Sequence, residues 1–404
     1  MDRREFVKTS AFAGMTAASA SRVMGANDRI RLGVIGTGGR GKYLMSTVNR
    51  IGGAEWVALC DIWDVRRAEG AKTAGSPVKL YNDHRQLLDH QDIDAVIIAT
   101  VDHHHAPVTI DAVHAGKDVY VEKPMTSVAE QGPEVVKAVR ETKRIVQVGT
   151  QNRSLPHYQE AKARIIDSGL LGKVGLVRTW YDANSGYLLD IPQGMETKPA
   201  GLDWERYLGW LPKIPWDARR YFNRFAYWDI STGGQTGGLF VHLIDTVHWF
   251  LGLARPSAAL CGGGLYLYDD GRDTPDVVTM IVEYPQRLTV TFEAEIFTAT
   301  KKYNATAGVE FHGSGGVLTV NRYDRQVGWT FAAKSEESPR QVMWGEQSPA
   351  GADYHLKNWL ECIRSRKDPY VTAVDGHYGA MPCHMGNLAY KTKSRVAWDS
   401  KWEV

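Results

Sequence analysis

The sequence predicts an α/β chain: an N-terminal doubly wound parallel sheet, then a C-terminal α+β domain on an open, largely antiparallel sheet. Three observations predict it. Between Arg29 and Thr150, short apolar runs alternate with helical patterns, as strands buried on both faces and joined by crossover helices do. A glycine-rich turn directly follows the first of these runs. After Gln151 the alternation gives way to successive hairpin-like strands, which suit an antiparallel sheet.

The elements follow in chain order. Residues 2–20, "DRREFVKTSAFAGMTAASA", make a poor first helix, since Phe12 and Met15 are the only bulky apolar side chains between Ala11 and Ala20. As an address they are complete, with a basic start at Arg3 and Arg4, a short mild apolar stretch, and small residues at Ala18-Ser19-Ala20 or Met24-Gly25-Ala26 for cleavage. The order Arg3-Arg4-Glu5-Phe6-Val7-Lys8 resembles a twin-arginine export signal, an address rather than an anchor, so a periplasmic or secreted location is expected. "RIRLGVIG", "AEWVALCD", "DAVIIAT", "DVYVEK" and "IVQVGT" read as strands, with helices near 40–50, 104–115 and 127–143. A helix near 156–168 precedes a Trp/Tyr/Pro-rich region, 180–236, and a helix at about 239–251 follows. Residues 257–321 read as strands, with a turn at Pro285-Gln286. Helices at 354–366 and 376–392 end the chain. The expected divisions are 1–26 (signal peptide), 29–150 (nucleotide-binding domain), 151–375 (substrate and oligomerisation domain) and 376–404 (a helix returning to the first domain).

Composition narrows the function. A chain of 404 residues exceeds one ordinary core. The net charge of +2 is supplied by the first 26 residues, where four Arg/Lys face two Asp/Glu, so nothing suggests a nucleic-acid or anionic-membrane partner. Cys60, Cys261, Cys362 and Cys383 are widely spaced without a CxxC pair, and no metal is expected. Six of the thirteen Trp fall between Trp180 and Trp249, where aromatic walls suit sugar rings or simply pack a core.

"GVIGTGGRG" sets Gly36, Gly38 and Gly41 in G-x-G-x-x-G spacing between a strand and a helix. That is a dinucleotide turn: tight bend, close backbone approach to pyrophosphate, close helix–strand packing. Asp61, at the end of the second strand, is placed to accept from the adenosine ribose hydroxyls and to repel a 2′-phosphate, favouring NAD. Arg66 and Arg67 nearby weaken that preference. Glu122-Lys123-Pro124 ends the fifth strand, where ligands of such sheets bind. His242, Asp245 and Thr246 share one helix face, and a His opening a helix beside a glycine-rich loop suits a general base.

Together these motifs resemble the Gfo/Idh/MocA oxidoreductases of sugars and cyclitols. The likeness runs through residues 95–124, "GTQNRS" (149–154), "LDWERYLGW" (202–210) and the His242 helix. It implies a Rossmann domain, a C-terminal sheet used in homo-oligomers (dimer or tetramer), Lys123 orienting the substrate hydroxyl and His242 as acid/base. It extends the NAD-binding set to Gly39, Arg40, Thr100, His105, Glu122, Lys123 and Gln151, and it explains the His103-His104-His105 triplet without a metal. Tyr181, Arg224, Tyr227, Trp228 and Asp245 are the substrate-side expectations. In one departure, Gly238 stands where the family's dehydrogenases usually carry Asp. NAD-dependent glycoside hydrolases of the superfamily also lack that Asp; their extra base is often a Tyr, for which Tyr158, Tyr181 and Tyr227 are candidates. The resemblance thus implies an exported oxidoreductase acting on a sugar or glycoside ring hydroxyl, at C3, with tightly bound NAD. The alternative is a redox-neutral glycosidase using the same transient oxidation.

Overall fold

The computed structural model describes residues 29–182, 188, 190–298, 305–322, 327–335, 340–344 and 351–404. The signal-peptide expectation for residues 1–26 lies outside them. The first domain alternates β1 (Ile30–Ile35), α1 (Gly39–Ile51), β2 (Ala54–Cys60), α2 (Asp64–Ala74), β3 (Lys79–Tyr81), α3 (His84–Leu88), β4 (Ala95–Ile98), α4 (Asp102–His114), β5 (Asp118–Val121), α5 (Gln131–Thr142) and β6 (Val146–Val148). All pairings are parallel, in the order β3-β2-β1-β4-β5-β6. The order reverses at β1, which opens a crevice above the carboxyl ends of β1 and β4, where such sheets bind their ligands. Strands β4 and β5 are buried throughout, as their continuous apolar runs require.

The second domain comprises α6 (Pro156–Ala161), β7 (Val174–Asp182), α7 (Trp204–Leu208), α8 (Ala218–Phe222) and α9 (Val241–Leu251), then β8 (Ala258–Gly264), β9 (Val277–Tyr284), β10 (Leu288–Glu295), β11 (Ala307–Gly313), β12 (Gly316–Arg322), β13 (Val327–Ala333) and β14 (Arg340–Trp344). With β15 (Val396–Ala397) they form a nine-stranded sheet, β14-β13-β12-β11-β7-β10-β9-β8-β15, antiparallel except where β7 pairs with β10. Alternation along β9 and β10 turns Val278, Met280, Val282, Val290 and Phe292 onto one core with α9.

Two C-terminal helices, α10 (Gly351–Ser365) and α11 (Ala373–Thr392), tie the domains together. Helix α10 packs Leu356, Trp359 and Leu360 against Leu32 and Tyr120 of the first domain. The chain therefore returns to the first domain well before residue 376, because the amphipathic face of this helix finds its apolar partner on the parallel sheet. Buried Arg153, just after β6, clamps Asp245 of α9 through Nη2 (2.7 Å) and Nε (3.0 Å), and Asp375 of α11 at 3.0 Å. Among the described residues, no helix is long and apolar enough to cross a membrane.

Candidate active site

The turn after β1 fulfils each requirement of its glycine spacing. Gly36 has φ +92, and a Cβ on it would lie 2.7 Å from Ala99 O. At Gly41 a Cβ would fall 2.0 Å from Gly36 O, so only glycine lets α1 approach β1 this closely. At Gly38 and Gly39 a Cβ would meet nothing within 4 Å. Gly38 caps α1 without a side chain, so the helix N-terminus faces open space suited to an anion.

Asp61 sits at the end of β2. Its Oδ2 accepts Thr37 N–H (2.7 Å) and its Oδ1 accepts Trp63 N–H (3.1 Å). Burial raises its carboxyl above the usual range, opposed by these donors. Arg66 donates to Glu69 Oε2 (3.0 Å), while Arg67 donates to Asp61 O (2.5 Å) and pairs with Asp64. Each arginine is thus held by a partner of its own, and Arg66 also lines the cleft.

Gly36, Gly38, Gly39, Arg40, Asp61 and Thr100 line a cleft of about 1290 Å³. Its opposite wall comes from the second domain through a strap, residues 201–222, stapled onto the ends of β2, β3 and β4. Asp203 N donates to Ile62 O (2.9 Å), and Leu202 bridges Trp63. Arg206 pairs with Asp83 (2.6 Å), and Trp210 Nε1 donates to His103 O (2.8 Å). Beneath the strap, Trp63 packs with Leu202, Trp204, Tyr207 and Leu208.

The histidine triplet is absorbed into this frame. His103 and His104 each bring Nε2 to 2.8 Å from Tyr207 O. His105 Nδ1 donates to Pro124 O (2.7 Å), with Nε2 3.2 Å from Thr100 O. Burial drives all three below the usual imidazole pKa, His104 to about 3. Among the described residues no group of three His, Cys, Asp or Glu side chains is placed to hold a metal.

Just after β5 the sheet delivers Lys123, which, like His242, does not itself line the cleft. Its Nζ donates to Gly238 O at 2.6 Å, one turn ahead of His242 in the segment Thr236–Phe240 that leads into α9. Burial pulls the ammonium down to about 8, against Glu122 and Asp102, which raise it. Glu122 accepts Arg40 through Nε (2.8 Å) and Nη2 (2.7 Å). Buried Asp102 accepts Arg224 Nη1 at 2.6 Å and Thr232 N at 3.2 Å. Burial would raise the Asp102 carboxyl, but Arg224, His105 and Lys123 hold it below its ordinary value.

Several expectations need correction. His105, Glu122 and Gln151 do not line the cleft. His105 staples two backbone carbonyls, Glu122 anchors Arg40, and buried Gln151 donates to Tyr120 OH (3.3 Å). Asp245 is 1 % exposed and clamped by Arg153, so it is structural. Trp228 donates to Asp273 O and stacks on Tyr390 (5.7 Å), away from the cleft. Tyr227 is buried beneath Arg220, and Tyr181 packs on the second core. Tyr158 lies fully inside that core. Arg224 does line the cleft. The sequence reading passed over Asp102, Phe225 and the strap contacts. Asp102 carried a signal: a carboxylate in the first turn after a strand's carboxyl end, masked by the three histidines beside it.

Comparison with known proteins adds to this geometry. The family model described as the GFO_IDH_MocA oxidoreductase family, NAD-binding Rossmann fold, matches residues 30–150. Its C-terminal α/β domain model matches residues 213–396. The chain is 33 % identical over 165 residues to inositol 2-dehydrogenase 2 of Saccharopolyspora erythraea, covering 40 % of this chain and 48 % of that protein. It is 36 % identical over 160 residues to the inositol 2-dehydrogenase of Rubrobacter xylanophilus, covering 39 % and 45 %. The chain thus spans less than half the length of these curated relatives. Its fold is similar to that of levoglucosan dehydrogenase solved with NADH and levoglucosan (TM-score 0.71, 20 % identity, 91 % of this chain and 99 % of that one). It is also similar to the WlbA dehydrogenase of Bordetella pertussis solved with NADH and UDP-GlcNAcA (TM-score 0.68, 19 % identity, 92 % and 99 %).

Proposed function

As the chain belongs to the Gfo/Idh/MocA oxidoreductase family, we propose that it is an NAD-dependent dehydrogenase of a sugar or glycoside ring hydroxyl, at C3, and that it holds its NAD tightly. The observation that carries the reading is the Lys123–Gly238 bond, which joins the residue just beyond β5 to the turn that opens the His242 helix. The residues present fit the cofactor. The bare positions at Gly38 and Gly39 leave room for pyrophosphate beside the N-terminus of α1, and Asp61 is fixed to accept ribose hydroxyls. NAD, when bound, supplies the hydride acceptor.

The chain's own groups supply the rest. Lys123, as an ammonium, donates to the reacting substrate oxygen and stabilises negative charge developing there. His242 takes the hydroxyl proton. Arg224, tied to Asp102, braces the wall of the cleft. The strap over the adenosine half supports retention: the dinucleotide leaves only if contacts such as Arg206–Asp83 and Trp210–His103 open. Retention in turn suits export through a twin-arginine signal, because a cofactor carried outside has no pool with which to exchange. A fusion of residues 1–28 to a reporter tests export: Arg3→Lys/Arg4→Lys abolishes it if the address is read as proposed, and unchanged export rejects that part.

The strap and Gly238 also favour a second reading, a redox-neutral glycoside hydrolase. One experiment separates the two: a nitrophenyl glycoside in deuterated water without added NAD. The dehydrogenase converts it to an intact 3-ketoglycoside with the hydride retained in the protein. The hydrolase releases nitrophenol and leaves deuterium at C2. No change in the glycoside panel by either route rejects both readings.

A further inference from the structure

The wall beside Lys123 has an aromatic ring where a side chain at position 238 would stand. A Cβ on Gly238 would lie 3.0 Å from Phe225 Cε1 and 3.4 Å from its Cδ1. The ring is held on one face by a side chain and through its own backbone by a second. The Arg224 guanidinium carbon stands 4.1 Å from its centroid and is itself tied to buried Asp102. Thr274 Oγ1 donates to Phe225 O at 2.9 Å, fixing the backbone that carries the ring. Phe225 borders both the large cleft and a recess of about 30 Å³ that it shares with Gly238, Leu239, Thr274 and Ile296. Among the described residues lining that recess none is an Asp or Glu. Gln235, 4 % exposed, donates its Nε2 to Pro275 O (3.0 Å), while its buried Oε1 has no partner. The recess therefore offers an apolar face, the Arg272 guanidinium already paired with Asp270, and a single neutral amide acceptor.

This donor set discriminates between substrates. An inositol carries a free hydroxyl on every ring carbon, and seating it here sets a hydroxyl against an aromatic face with only one neutral amide acceptor beside it, which is costly. A pyranoside presents a run of C–H bonds on one face, and its substituted anomeric oxygen has no proton to place. Apolar walls with few placed polar groups are how small-ligand sites fix such a face. We propose that Phe225 is the specificity-determining residue of this site and selects pyranosides over free cyclitols. The proposal rests on the ring oxidation proposed above.

The test uses cofactor-loaded protein and two readouts: kinetics of oxidation for methyl pyranosides and for free cyclitols, with an added two-electron acceptor that re-oxidises the bound NADH between turnovers, and calorimetric binding of 3-deoxy methyl pyranosides, which cannot react at C3. Wild type is expected to favour pyranosides in kcat/KM. Phe225→Leu, which keeps bulk and removes the aromatic face, should raise KM and Kd for pyranosides about tenfold with kcat little changed. Phe225→Tyr should restore wild-type values. Phe225→Ala combined with Gly238→Asp should move the preference toward cyclitols. A Phe225→Leu protein that keeps its cofactor and binds the 3-deoxy pyranosides as wild type does overturns the proposal, as does a wild type that prefers cyclitols. If wild type oxidises no sugar, the proposed oxidation fails. The calorimetric arm then still judges Phe225: tenfold weaker binding by Phe225→Leu keeps its role in pyranoside recognition, and unchanged or absent binding rejects it.

Discussion

The two ends of the cleft are built on different principles. At the adenosine end almost every contact is made by backbone or by a side chain fixed by backbone: the glycine turn, Asp61 between two N–H groups, and a strap pinned to three strand ends. At the other end the proposed chemistry falls to few side chains, Lys123, His242, Arg224 and Phe225, set on elements from both domains. The first end specifies one ligand and tolerates little change. The second can be re-tuned by one or two substitutions without disturbing the frame. On the proposed reading, cofactor specificity rests on backbone architecture, whereas substrate specificity rests on local side chains such as Phe225 beside Gly238.

The comparison can be broken most severely at the chemical end. His242→Ala should lower kcat by about 10²–10⁴-fold, the usual contribution of an acid/base group, while bound NAD and melting temperature stay close to wild type. Turnover within a few-fold of wild type would make His242 a packing residue. At the adenosine end, Asp61→Ala removes two charge-assisted bonds to ribose, each of about 1.5–3 kcal/mol before desolvation. Titration of stripped protein should show weaker NAD binding with kcat kept at saturation; equal NAD affinities in the two proteins would place the ribose elsewhere. The smallest effect concerns pH. Lys123 is held down to about 8 by burial, and its charged form is the one that stabilises the substrate oxygen. The kcat/KM for oxidation should fall as pH rises through about 8. Lys123→Arg, which stays charged throughout, should lose that falling limb at reduced overall rate. A limb that persists unchanged in the arginine variant assigns it to another group.

The fold was legible because its signals are local. The apolar runs of β4 and, after Asp118, β5 suit strands buried on both faces of a parallel sheet, and Gly36 and Gly41 require glycine on grounds of contact alone. Of the proposed site, the sequence marks only what motifs encode, such as Gly38, Asp61, Lys123 and His242. What escaped depends on long-range partners. Asp245 looked like a site residue because it shares a helix face with His242. Its role is fixed by Arg153, ninety-two positions away in sequence. Trp228 and Tyr227 fell in a stretch rich in sugar-compatible aromatics, but their rings are claimed by Tyr390 and Arg220. Phe225 carried no motif, and its meaning appears only when a missing side chain at Gly238 is set against it.

The central claim is that the strap locks NAD into the cleft while the opposite end does the chemistry. Its most direct test is the NAD content and release rate of purified protein, measured by denaturing quench and mass analysis after dilution into excess labelled NAD. The expected result is stoichiometric bound NAD that exchanges with the labelled pool more slowly than bound substrate reduces it. Arg206→Ala/Trp210→Ala should speed exchange several-fold without altering the chemical step. An empty site, or exchange equally fast in both proteins, would contradict it.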